Sequence, residues 1–171
     1  MLFIGGHNRS GSTMLSRLLG QYPSVVSVGE LSVIGSPGWQ SDQLCSCGAP
    51  FKECVFWQDV IAQAAGSSPD QWYARLAYLK KRVERFRYIP TLALTQNDRN
   101  HHLFTTQNTE YITMLGKIMS AVASVAGVST IIDSSKYPPY GFFLANWKRP
   151  LALAPLRNPE LAPPRVGCWC L

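Results

Sequence analysis

A three-layer α/β fold, with a parallel central sheet between helices, is predicted by the order of elements along the chain. Two observations carry it. Short β-rich apolar runs alternate with stretches of helical period, and two of those runs feed polar, phosphate-sized loops. In parallel sheets such loops gather at one edge. The 171 residues, 46% of them hydrophobic, suit one domain with a real core. Charged residues make up 15% and no long biased tract occurs, which excludes wholesale disorder.

The elements follow in order. Leu2-Phe3-Ile4, closed by Gly5-Gly6, reads as a buried first strand feeding a turn. Met14, Leu15, Leu18 and Leu19 then recur at helical spacing, and Gly20 with Pro23 beyond it gives a stop signal. Val25 to Val28 is a second short strand, so Glu30 of Gly29-Glu30-Leu31 sits at a strand end. Gly35 to Cys47, rich in Gly, Ser and Pro, reads as loop. Between Asp70 and about Arg87, Trp72, Leu76, Leu79 and Val83 mark a helical face, with Pro69 near its start and Pro90 beyond its end. Gln96 to Thr106 reads as a polar loop.

Asn108 or Thr109 caps a further helix, with Tyr111, Leu115, Ile118, Met119 and Val122 on its period and Gly127 at its end. Val128 to Ile132 is another β-rich run, leading into Asp133-Ser134-Ser135-Lys136 as the second polar loop. Pro150, Pro155, Pro159, Pro163 and Pro164 interrupt the last stretch, and proline removes ladder donors. The α/β domain is therefore drawn over residues 1–149, and 150–171 as a divergent proline-rich tail.

The chemistry concentrates in Gly6-His7-Asn8-Arg9-Ser10-Gly11-Ser12-Thr13. This is the glycine spacing of a nucleotide P-loop, with Ser12 where a kinase or ATPase has its lysine. Glycines let successive backbone N–H groups turn around an anion, and the helix that follows adds unpaired donors and a positive dipole end. Arg9 can add a cationic fork, and Ser10, Ser12 and Thr13 hydroxyl donors. Sixteen Lys and Arg against ten Asp and Glu, a net charge of +6, agree with an anionic partner.

The segment FIGGHNRSGSTMLSRLLGQYP, followed by VGEL, resembles the 5′-phosphosulfate loop of the bacterial-type sulfotransferase family, itself a P-loop relative. LCSCGAPFKECVFW resembles the cysteine-containing insert of such enzymes, and IIDSSKYP their later strand and loop. The resemblance runs roughly from Met1 to Tyr140 and then fades, so an incomplete version of the family's sheet is expected. It implies transfer of a sulfuryl group from 3′-phosphoadenosine 5′-phosphosulfate to a hydroxyl or amine of a small-molecule or glycan acceptor.

On that resemblance Gly6, Arg9, Ser10, Gly11, Ser12 and Thr13 hold the phosphosulfate, while Lys136 and Ser134 lie beside the transferred group or the acceptor. Arg157 of Arg157-Asn158-Pro159 corresponds to the family's 3′-phosphate loop, with Arg165 where that motif has a serine and Glu160 close by. The acceptor needs a base; Glu30, in the family-like Gly-Glu-Leu, is the leading candidate and His7 the rival. Two alternatives stay open: a catalytically incomplete nucleotide-binding fragment, and a P-loop kinase or NTPase, against which Ser12 weighs.

The scheme requires no metal. Five cysteines are an odd number; Cys45, Cys47 and Cys54 could bind a metal with a distant fourth ligand, but they lack paired CxxC spacing and are expected to be reduced structural residues. The basic stretch Lys80, Lys81, Arg82, Arg85 and Arg87 reads as a solvated helix face, so no nucleic-acid partner is expected. No apolar run is long enough for a bilayer and no signal peptide precedes the glycine loop, so the cytosol is the expected compartment, with no membrane partner.

Overall fold

The computed structural model describes residues 1–7, 9–90 and 105–146, with the side chains of Ser36 and Pro37 left aside. Asn8, most of the expected loop from Gln96, Arg157 and the proline-rich tail lie outside the described residues. Among the described residues three strands form one parallel sheet: β1 (Leu2–Gly5), β2 (Val25–Ser27) and β3 (Thr130–Lys136). β3 is central, in the order β1-β3-β2. The helices are α1 (Ser12–Leu19), α2 (Val55–Ala65), α3 (Pro69–Val83), α4 (Thr109–Ala126) and α5 (Pro138–Ala145).

Register decides the layers, because side chains of paired residues in a parallel ladder share a face. Ser27 pairs with Ile132 and Leu2 with Ile132, so these three face one way. Val26 with Ile131, and Phe3 with Asp133, face the other. α1 covers the first face, where the Ser27 hydroxyl donates to Ser16 Oγ at 3.3 Å. α5 covers the second: Tyr140 Oη donates to Asp133 Oδ2 at 2.7 Å, and the Tyr140 ring packs against Phe3. α4 packs beside α5 and carries the core outward through α2 and α3. Trp57, Val60, Tyr73, Ile118 and Val122 are buried there.

α1 forms where expected, and two loop expectations are corrected. The buried residues of α1 are Ser12 and Ser16, whereas Met14, Leu15 and Leu18 are 69%, 47% and 51% exposed. Small side chains let the α1 backbone lie close on β2, and the apolar residues at helical period point away. Asp133 to Lys136 continues β3 instead of forming a loop. Its polar groups are bonded within the protein, which removes the cost of burying them. Ile34–Gln40, which overlaps the start of the expected loop, winds into a wide helical turn. Aromatic anchors hold it: Trp39 stacks on Tyr73 at 4.6 Å and its Nε1 donates to Asp70 Oδ1 at 2.8 Å. β1 is not the buried strand expected: among the described residues it lies at the edge of the sheet, with Leu2 44% exposed and Phe3 and Ile4 half-buried. α4 matches the residue pattern closely, down to Asn108 and Gly127 as its caps.

Lys80 leaves the solvated face expected of it. Its ammonium donates to the Ser32 carbonyl and lies 3.6 Å from the buried Glu84 carboxylate, while Lys81, Arg82, Arg85 and Arg87 are exposed.

Candidate functional site

The glycine loop leaves the sheet at Gly5, which pairs with Lys136 across a register shift that follows Phe3. The turn is tight: a Cβ on Gly6 would lie 3.1 Å from Ser10 Oγ, and Ser10 N donates to His7 O at 3.2 Å. Arg9 and Gly11 both have left-handed φ, 64° and 76°, on either side of Ser10. Such alternation turns successive N–H groups toward one side. Gly11 is the N-cap of α1 and makes no side-chain cap bond, and the helix's first turn carries no acid. The first bond back to the cap is Leu15 N to Gly11 O, at 3.0 Å. The N–H groups of Ser12, Thr13 and Met14 therefore have no intrahelical acceptor and carry the positive end of the helix dipole. A small anion fits that donor set.

The ends of β2 and β3 are tied together beside this loop. Ser134 N and Oγ both donate to Gly29 O, at 2.8 and 3.1 Å, and Ser32 N donates to Ser135 Oγ at 2.9 Å. These bonds bracket Glu30 on both sides. Lys136, at φ 61°, closes β3, and its ammonium meets Glu30 Oε1 in an ion pair. The Lys136 side chain is 11% exposed and that of Glu30 33%, so the pair sits at the rim of the sheet edge. Thus the ends of all three strands, with the glycine loop, Glu30 and Lys136, share the carboxyl edge of the sheet, where open α/β folds bind ligands.

Under this edge lies Asp133, fully buried. It accepts bonds from Ser135 N at 2.9 Å, the Ser135 hydroxyl, and Tyr140 Oη at 2.7 Å. Burial raises its carboxyl from 3.8 to about 6, the Ser135 and Tyr140 bonds offsetting part of the effect. The folded protein thus holds this proton more tightly than the unfolded chain. The contribution of Asp133 to stability is full below the unfolded value of 3.8 and is lost as pH rises through about 6. Denaturant unfolding between those limits should show stability falling with rising pH, by at most about 3 kcal/mol. Asp133→Asn should flatten that slope; an unchanged slope in the variant would assign it to another group.

A model of the sulfotransferase family matches residues 2–122, well over half of the chain. The chain belongs to the sulfotransferase family. Searches of curated proteins and of solved structures return no match. The span matched by the sulfotransferase model holds β1, the glycine loop, α1, Glu30, α2, α3 and most of α4. It ends before β3, so Ser134 and Lys136 join the site through strand pairing and not through the family match. Membership supports sulfuryl transfer as the class of reaction.

Of the residues named from sequence, Gly6, Arg9, Ser10, Gly11, Ser12 and Thr13 lie in one turn, with Ser12 buried and Arg9, Ser10 and Thr13 exposed. Glu30 and Lys136 are in contact. Ser134 is buried with its hydroxyl committed to Gly29, so it fixes the end of β2. His7 is exposed in the loop. Sequence reasoning missed Ser135, Asp133, Tyr140 and Lys80, which position the segment around Glu30. The available signal was the polar run directly after Ile131-Ile132, which suits a strand whose polar groups bond across a sheet edge. Among the described residues no helix is long and apolar enough to cross a membrane.

Proposed function

We propose that this sulfotransferase transfers the sulfuryl group of 3′-phosphoadenosine 5′-phosphosulfate to a hydroxyl or amine of a small-molecule or glycan acceptor. The observation that carries the reading is the meeting of three parts at one sheet edge: an anion-binding turn, a carboxylate and an ammonium. The amides at the start of α1, with Ser10 and Thr13, hold the phosphosulfate oxygens, and Arg9 meets charge developing on the bridging oxygen. Glu30 accepts the acceptor's proton, with His7 as the second candidate base. Lys136 holds the Glu30 carboxylate at rest and offers a cation to the transferred group. In the step, a bond forms from acceptor oxygen or nitrogen to sulfur, and the bond from sulfur to the phosphate oxygen breaks. The leaving phosphate keeps the electron pair.

The test is calorimetric titration of the full chain with 3′-phosphoadenosine 5′-phosphate, followed by turnover of the sulfated donor on a panel of acceptors. Saturable binding at one site and acceptor-dependent release of the product nucleotide are expected. Binding without turnover on any acceptor would make the chain a nucleotide-binding module, and ATP hydrolysis in place of sulfuryl transfer would make it an NTPase. Absence of binding would overturn the reading at its first step.

A further inference from the structure

Away from the sheet edge, the chain builds a second site. After the wide turn, Leu44 and Pro50 pair as an antiparallel bridge, Cys45 N donates to Ala49 O at 2.8 Å, and Phe51 N donates to Gln43 O at 3.0 Å. The tip between them is Ser46-Cys47-Gly48, closed by Gly48 N to Cys45 O at 2.8 Å with Gly48 at φ 87°. This knuckle swings Cys45 and Cys47 to one side. Cys54 arrives from the other direction as the N-cap of α2, its own N–H bonded to Pro50 O at 3.0 Å.

The three sulfurs, spread over ten positions of the chain, converge: all lie within 4.8 Å of one another, and Cys47 Sγ is 3.6 Å from Cys54 Sγ. None is in a disulfide. Cys45 and Cys54 are buried and Cys47 is exposed, so the cluster has an apolar floor and one open side. Phe51 and Trp57, both 1% exposed, stack at 5.1 Å within the same short segment and make it rigid.

We propose that Cys45, Cys47 and Cys54 bind one zinc ion through three thiolates. The separations carry this. Zinc–sulfur bonds of about 2.3 Å in a tetrahedron place two sulfurs about 3.8 Å apart; Cys47 and Cys54 already stand at 3.6 Å, and the 4.8 Å limit on the other pairs needs only a small inward shift. A disulfide would use only two of the three and leave the third thiol beside it. The positive end of α2 favours negative charge at Cys54, which suits a thiolate ligand. Among the described residues the group consists of these three cysteines. Binding exchanges three thiol protons for one Zn²⁺, leaving one net negative charge on the site.

The site also bears on the sheet edge. Gly38 of the wide turn rests on the Phe51 ring, where an added Cβ would lie 3.6 Å from it. Pinning the knuckle to α2 therefore steadies the segment that follows Glu30.

The experiment uses the full chain, reduced, metal-free and without oxygen, titrated with Co²⁺ and then Zn²⁺. The expected result is a thiolate-to-cobalt charge-transfer band saturating at one equivalent, abolished by one equivalent of zinc, with about three protons released per ion. Cys47 is exposed, so Cys47→Ser should fold normally while weakening zinc binding more than about tenfold and dimming the cobalt band. Alkylation of the native thiols should slow on adding zinc. A missing band, a Cys47→Ser variant that binds like the parent, or thiols equally reactive with and without zinc would each overturn the proposal. So would ready formation of a Cys47–Cys54 disulfide in a reduced protein that takes up no metal.

Discussion

Arg9→Ala lowers kcat/KM for sulfuryl transfer by about 10²- to 10³-fold, the expected loss when one preorganised donor to a developing anion is removed. The turn itself should survive. Arg9 is exposed, and both residues carry a Cβ at the left-handed φ of 64°, so the substitution adds little backbone strain. The amides at the start of α1 remain, so product-nucleotide affinity should fall far less than turnover does. Arg9→Lys keeps the charge and loses the two-pronged fork, and should recover only part of the rate. Single-turnover measurement alongside nucleotide titration checks this; turnover near that of the parent would remove Arg9 from the reaction.

The second large effect is at Glu30. Glu30→Gln is isosteric and retains a hydrogen-bonding group but cannot take a proton, so kcat should drop by about 10²- to 10⁴-fold. A loss of rate alone would not separate a base from a structural partner of Lys136, since the two are in contact. Two further readouts do. The acid-side fall of kcat/KM, which reports protonation of the base in the free enzyme, should vanish in Glu30→Gln and persist in His7→Ala. Stability should change by only about 1 kcal/mol, because the pair sits at the rim with Glu30 a third exposed, and the glutamine oxygen still accepts a bond from Lys136. If the acid-side limb survives in Glu30→Gln and vanishes in His7→Ala, the proton goes to His7.

The glycine turn was legible because its chemistry is local. Eight consecutive residues contain the glycines, the arginine and the hydroxyls, and the helix that supplies the amides follows at once. α4 was equally legible, since its period and both caps lie within the segment it occupies. α5 was not. Its sequence is apolar nearly all round, with two prolines at its start and a glycine inside, so no period marks a face. Burial of Tyr140, Phe143 and Leu144 against the sheet decides it. α2 does carry a period, in Trp57, Val60, Ile61 and Ala64, and could have been read from it. The sulfur cluster was hidden for a different reason: spacing shows that three cysteines exist, but only the knuckle and the start of α2 bring them together.

By itself the sequence determined the glycine turn, the strand before it, the helix after it and Glu30 just past β2, because each depends on neighbours a few residues away. Tertiary structure alone decided that Asp133 to Lys136 is strand, that Lys136 faces Glu30, that serines and not leucines line the buried side of α1, and that three sulfurs share one place. Each of those outcomes rests on partners far away in the chain: Ser134 bonds to Gly29 across 105 positions and Ser32 to Ser135 across 103. A polar residue shows its own bonding capacity in the sequence, but whether it lies in a strand or a loop depends on which distant group satisfies it.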